Sequence, residues 1–232
     1  MNRLGLYVAR CAGYGLVLLS LLIALQSKSV TAQQTTSGFD FSTKLPRIDP
    51  VEPKEVLSTF DVTPGYKMEL VASEPMVQDP IAMSFDEHGR LFVIEMCDYS
   101  EQDTENLGVV RMLEDTDHDG AFDQSFAFAE GLSWPTAIFY CNGGVLVGAP
   151  PELWFLKDTD GDNKADVKQK LYTGFGRQNV QGLMNSFVWG IDNRIYCSSS
   201  SNGGLVKRLD QSDDAGVVLN GRDFSLDPNT FD

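Results

Sequence analysis

From residue 60 onward, apolar and β-branched residues recur with period two in short runs broken by Gly, Asp and Asn, and no segment sustains a helical apolar period. Short half-buried strands joined by tight turns are the expected elements. Three turn-and-strand pairs repeat. Leu91-Phe92-Val93 follows Asp86-Glu87-His88-Gly89, Val145-Leu146-Val147 follows Asn142-Gly143-Gly144, and Ile195-Tyr196-Cys197 follows Asp192-Asn193-Arg194, at spacings of 54 and 50 residues. After each pair comes another strand, Val109–Leu113 in the first copy and Glu152–Leu156 in the second. In these two copies it enters an aspartate-rich loop and leaves on a fourth strand ending near Gly131 or Gly174. A third, degenerate loop, Asp210-Gln211-Ser212-Asp213-Asp214, follows Leu205–Leu209.

Four strands per unit at this period predict an all-β chain folded as a β-propeller of four-stranded blades. The 173 residues from Phe60 to Asp232 hold a little over three such units, whereas propellers close with about four to eight. About three blades of an incomplete ring are therefore expected, with apolar blade faces left open and self-association as a consequence.

The two loops carry the most specific chemistry. Asp115-Thr116-Asp117-His118-Asp119-Gly120-Ala121-Phe122-Asp123 and Asp158-Thr159-Asp160-Gly161-Asp162-Asn163-Lys164-Ala165-Asp166 share one pattern, 43 positions apart. Carboxylates at loop positions 1, 3 and 5 converge on one point if the chain turns sharply at position 6, and a hard cation such as calcium takes six to eight oxygens. Gly120 and Asn163 stand at that turn, and Ala121 and Lys164 offer the position-7 carbonyl. Position 12 is Phe126 or Gln169 rather than Glu, so the closing carboxylate falls to Asp123 or Asp166 at position 9. The eight predicted calcium ligands are Asp115, Asp117, Asp119, Asp123, Asp158, Asp160, Asp162 and Asp166. The alternative is a pair of acidic surface turns. With Asn163 in place of a turn glycine, the second loop is expected to be the weaker.

Arg3 and Arg10, the apolar run Ala12–Leu25 and Val30-Thr31-Ala32 form the charged, apolar and small-residue series of a secretory signal over residues 1–32, cleaved after Ala32. Residues 33–55 read as a linker and 56–232 as the partial propeller with its two calcium loops. The expected location is extracytoplasmic, whether periplasmic, cell-envelope or secreted, with membrane contact only if the signal stays uncleaved. Loss of Arg3, Arg10 and Lys28 takes the net charge from −15 to −18, which makes nucleic acid a poor partner. Cys97, Cys141 and Cys197 remain, without C-x-x-C or C-x-x-C-H, so no haem attaches to this chain; one disulfide or three buried thiols both fit.

Several stretches carry a family resemblance: Pro64-Gly65-Tyr66-Lys67-Met68-Glu69-Leu70-Val71-Ala72-Ser73-Glu74-Pro75, the run from Phe85 to Met96, both aspartate loops, Trp189–Tyr196 and Gly221-Arg222-Asp223-Phe224. In order and spacing they resemble the N-terminal propeller of the membrane-bound dehydrogenase family, also called the PVC-type haem-binding proteins, over residues 55–232. The resemblance implies that helical repeats and a C-x-x-C-H domain follow the propeller in full-length members. It also implies similarity to quinoprotein sugar dehydrogenases, which oxidise an alcohol or aldose with pyrroloquinoline quinone and a His base eight residues before a Gly-x-Asp turn. Gly190-Ile191-Asp192 matches that turn, and Gly182 stands eight residues before it. A glycine abstracts no proton. His88 and His118, the chain's two histidines, fall in a hairpin turn and a calcium loop instead.

The segment before that strand is rich in amides. Arg177, Asn179, Gln181 and Asn185 are candidate contacts for sugar hydroxyls, another polar small molecule or the quinone carboxylate; the alternative is a loop that satisfies its own backbone. Two functions remain in competition: a calcium-bound module of a dehydrogenase-like protein, redox-active only with further domains, and a non-catalytic carbohydrate- or protein-binding propeller.

Overall fold

The computed structural model describes residues 47–100, 102, 104–209 and 216–232. The signal segment, most of the linker and the degenerate loop at Asp210–Asp214 lie outside the described residues. The described residues 47–50 are exposed and without regular structure, and residues 51–232 form one compact unit. Among the described residues no helix is long and apolar enough to cross a membrane.

That unit opens on a single helical turn, α1 (Pro53–Val56), with Pro at its start, where the missing N–H costs nothing. Beyond it, apart from short helical turns at Leu57–Thr59 and Val180–Gly182, the described residues are strand, turn and irregular chain. β1 (Pro80–Phe85), β2 (Leu91–Glu95), β3 (Gly108–Glu114) and β4 (Gln124–Leu132) form a four-stranded antiparallel meander in chain order. β5 (Ala137–Cys141), β6 (Gly144–Ala149), β7 (Glu152–Lys157) and β8 (Val167–Phe175) repeat it, as the spacing predicts. In both sheets the second strand is wholly buried, so β2 and β6 read as unbroken apolar runs bar Glu95. Glu95 is neutralised by Arg111 on β3, 2.8 Å away, and accepts the Gln78 N–H.

The third unit departs from the expected repeat. β9 (Asn185–Trp189) and β10 (Ile195–Ser198) form the predicted hairpin, but the strand beside β10 is β13 (Asp223–Leu226). β11 (Gly204–Arg208), expected as the third strand of this sheet, instead pairs with β8 and carries β12 (Val217–Val218) at its far side. The approach is close: a Cβ on Gly174 would lie 2.1 Å from Leu205 O, and one on Gly204 2.2 Å from Gly174 O. Two glycines, both at positive φ, thus admit β11 to the edge of the second sheet.

The first strands of the three sheets stand side by side, β1 against β5 and β5 against β9, with the Tyr140 N–H donating to Ser84 Oγ at 3.0 Å. Between the first two sheets lies one core, with Phe92, Ile94, Val110, Met112 and Phe128 facing Ile138, Val145, Val147 and Leu156. A second core joins Leu146, Leu153 and Phe175 to Phe187, Ile195, Val206 and Leu226. Several large apolar side chains are left exposed: Ile81, Met83 and Phe85 on β1, and Val188, Ile191 and Tyr196 on β9, β10 and the turn between them.

Candidate functional sites

The meanders place the turns at two opposite ends. At one end are the β1–β2 turn and both aspartate loops, one between β3 and β4, the other between β7 and β8. The segments after β2, between β4 and β5, and between β8 and β9 gather at the other end.

In each loop the position-1 carboxylate organises the turn. Asp115 accepts the N–H groups of His118 (2.7 Å) and Gly120 (3.0 Å); Asp158 accepts those of Asp160, Gly161 and Asn163 at 2.7–3.1 Å. Positions 3 and 5 each accept the N–H two residues on: Asp117 from Asp119, Asp119 from Ala121, Asp160 from Asp162 and Asp162 from Lys164. Position 9 closes the loop on its threonine, since Asp123 accepts from Thr116 N and Oγ1, and Asp166 from Thr159 N and Oγ1. The Asp158 carboxyl is held below the ordinary carboxylate range: its slight burial pushes the other way, but the N–H groups of Gly161, Asn163 and Asp160 and a bond to the Asp160 side chain prevail.

Oxygens of Asp115, Asp117 and Asp119 lie within 4.8 Å of one another, as do those of Asp158, Asp160 and Asp166. Asp123 in the first loop and Asp162 in the second stand outside these groups. Each triad is a hard-oxygen set open to solvent, the donor chemistry that suits calcium.

The turn at position 6 is left-handed in both loops, φ 94° at Gly120 and 68° at Asn163. A second left-handed residue at position 4 gives no signal in the sequence: His118 at 62° and Gly161 at 82°. Each loop therefore holds one glycine and one non-glycine in that region, in exchanged order. The second loop thus carries its non-glycine at position 6 and the first at position 4.

Position 8 is the docking residue. The Phe122 N–H donates to Val71 O and the Ala165 N–H to Phe128 O, both at 2.8 Å. Phe122 packs on Leu91, Val93 and Leu113, and Ala165 enters the core between the first two sheets. The loops thus fasten neighbouring layers rather than an outer edge; the edge of the second sheet is in any case covered by β11.

At the opposite end the four amide-segment candidates separate. Gln181 and Asn185 line a cleft of about 370 Å³ between the first strands, with Thr136, Ile138, Phe187 and Met83 also in its wall. Arg177 lies over the Trp134 ring at 5.1 Å and donates to Ser133 Oγ. Asn179 caps the short helical turn Val180–Gly182 by accepting from Gln181 N, and its own N–H donates to Asn202 Oδ1, so it serves the loop itself. Gly182 is buried, and a Cβ there would lie 2.1 Å from Ser201 Oγ. Residues without a sequence signal join them: Tyr99, whose hydroxyl meets Gln181 at 3.5 Å, and Asp98, fully buried, which accepts Trp134 N while its Oδ1 has no hydrogen-bond partner among the described residues. Cys97, Cys141 and Cys197 are free thiols, and burial pushes Cys141 up to about 12.

Residues 52–232 match the family model described as Domain of unknown function (DUF7133). The chain belongs to this family. No curated protein matches the DUF7133 chain. Among solved structures it is similar to the holo pyranose dehydrogenase PQQ domain of Coprinopsis cinerea, at 15% identity, over 62% of this chain and 32% of that one, with a TM-score of 0.47. A calcium structure of a Trichoderma reesei carbohydrate-active enzyme of family AA12 gives 14% identity over 56% and 31%, TM-score 0.39. The PQQ-bound aldose sugar dehydrogenase of Streptomyces coelicolor gives 18% over 63% and 41%, TM-score 0.36. The DUF7133 chain thus spans under half the length of each of these structures.

Proposed function

We propose that this DUF7133 chain is an extracytoplasmic, calcium-binding β-propeller module of a dehydrogenase-like protein, in which the two aspartate loops hold the ions. The observation that carries the reading is the duplicate construction of the loops: equivalent places between third and fourth strands, left-handed positions 4 and 6, three convergent carboxylates each, and a position-8 residue fastened to the preceding layer. The ring geometry is supported by the adjacency of β1, β5 and β9, which are the innermost strands on this reading.

Calcium supplies charge neutralisation and no chemistry of its own here. Asp115, Asp117 and Asp119 would hold one ion, and Asp158, Asp160 and Asp166 the other. Pyrroloquinoline quinone is a poorer fit. Arg177, the candidate for its carboxylate, is engaged with Ser133 and Trp134, and the base position is Gly182, packed on Ser201. On this reading redox activity requires further domains.

A second reading, a non-catalytic carbohydrate-binding propeller, is favoured by the cleft at the other end, where Gln181 and Asn185 present amides beside the apolar Ile138 and Phe187. The two readings are compatible, since the calcium loops are at the opposite end. The exposed apolar side chains of β1, Ile81, Met83 and Phe85, support self-association.

Melting curves of the full chain in chelator, calcium and magnesium test the leading proposal. At about 1 mM calcium and a dissociation constant of about 0.1 mM, each site adds on the order of 1.4 kcal/mol by mass action. A melt that chelator leaves unchanged, or that magnesium raises as much as calcium, would sink it. For the second reading, a sugar panel monitored by binding to wild type and Gln181→Ala is decisive; equal binding by both removes the cleft from the account.

A further inference from the structure

Residues 66–70 precede the first sheet and belong to no sheet themselves. Among the described residues, no backbone N–H or C=O of residues 67–70 is hydrogen bonded, whereas Val71, directly after them, is fastened through its carbonyl to the Phe122 N–H. The side chains nonetheless keep the period of a strand. Lys67 Nζ meets Glu69 Oε1 at 2.5 Å, which puts residues two apart on one side. The alternate positions, Tyr66, Met68 and Leu70, are 79%, 46% and 37% exposed. An exposed apolar row on a backbone without ladder partners has the form of an edge strand that another chain can pair with.

The order of these residues is self-complementary. With two copies laid antiparallel about a two-fold axis at Met68, the Lys67 of each copy stands opposite the Glu69 of the other, and each Tyr66 opposite a Leu70. We propose that residues 66–70 pair with the same residues of a second copy of this chain, an isologous strand-to-strand contact. Charge complementarity selects this occupant. The segment's two charges attract their counterparts across the axis, while the chain as a whole, at −15, repels its like. Val71 continues into an apolar groove of about 310 Å³, with Ala72, Val77 and Leu91 in its wall. Apolar surface therefore lies next to the pair and strengthens a contact that a two-stranded ribbon alone would leave marginal. The proposal rests on the self-association reading, but names main-chain pairing of this segment as the contact rather than the exposed side chains of β1.

Sedimentation equilibrium of the full chain over a range of concentrations tests it, on wild type, Lys67→Glu, Glu69→Lys and the double exchange Lys67→Glu/Glu69→Lys. Both positions are exposed, so the variants keep the fold. Each single change sets like charges opposite one another at two cross-strand contacts and is expected to weaken dimerisation about tenfold. The double exchange restores opposite charges, and with them the wild-type dimer. Net charge alone gives a different pattern, since Lys67→Glu would then weaken association and Glu69→Lys strengthen it. That pattern, or a double exchange that fails to recover, would overturn the proposal. A dimer formed equally by all four chains would overturn it while leaving self-association to β1, and a wild type that stays monomeric would overturn both.

Discussion

The two aspartate loops share a ligand pattern but differ in what they hold. Loop 2 reaches from the second sheet to Phe128 in the fourth strand of the first, and its Ala165 is buried in the core between them. Loop 1 reaches from the first sheet to Val71, in a stretch without regular structure, and its Phe122 joins a smaller cluster with Ala72 and Val77. One ion would therefore couple to the cooperative unit and the other to a peripheral layer. Equal ligands do not make equal contributions to stability; what the loop is fastened to decides how far the ion's free energy is felt.

The largest effect should come from breaking loop 2 at its organiser. Asp158→Ala removes the acceptor for three backbone N–H groups as well as a proposed calcium ligand, and should cost on the order of 2–3 kcal/mol in calcium. Asp115→Ala makes the same chemical change, yet should lower the global melting temperature less and instead loosen the segment around Val71. Thermal melts of the two variants, with proteolysis of the region before β1 as the local readout, check the asymmetry. Equal losses of melting temperature would break the comparison.

A second test exchanges the backbone. His118→Gly should stabilise the calcium-free protein by about 1 kcal/mol and Gly161→His should destabilise it by a similar amount, because left-handed backbone is costly for a residue with a Cβ. Asn163→Gly should change stability by only a few tenths, since Asn tolerates that region. Chemical denaturation in chelator measures all three. A destabilised His118→Gly would show that the imidazole earns its place by packing.

Much of this architecture is visible in apolar runs and turn residues, since β2 and β6 run apolar as buried strands do and the turns before them are marked by Gly, Asp and Asn. Placement of β11 was not. Leu205 and Val206 would suit a third strand equally well, and only the close approach of Gly174 and Gly204 selects the neighbouring sheet. The position-6 turn could be read from Gly120 and Asn163. The position-4 turn could not, because His118 masks what Gly161 hints at. Position 8 was silent for a similar reason: Phe and Ala share no side-chain signature, and the shared element is a backbone N–H. At the other end, the composition of the amide segment pointed to Gln181 and Asn185 in the cleft, but also to Asn179, which its own loop consumes.

A smaller effect is expected from pH at the second loop. The carboxyl of Asp158 is depressed in the folded chain, so its contribution to stability is complete above its unfolded value of about 3.9 and lost as pH falls through the lower folded value. In chelator, carbon-detected titration should place Asp158 below the ordinary aspartate range. A value at or above that range would show that the N–H groups of Gly161 and Asn163 do not hold the carboxylate.

The most direct measurement is hydrogen exchange at two amides, Ala165 and Phe122, with and without calcium. Both N–H groups bridge from a loop to the preceding layer at 2.8 Å, so each reports on one ion and one junction. Calcium is expected to slow exchange at both, with Ala165 approaching the protection of the global unfolding reaction and Phe122 remaining limited by local opening. Exchange at Ala165 that is indifferent to saturating calcium would contradict this expectation.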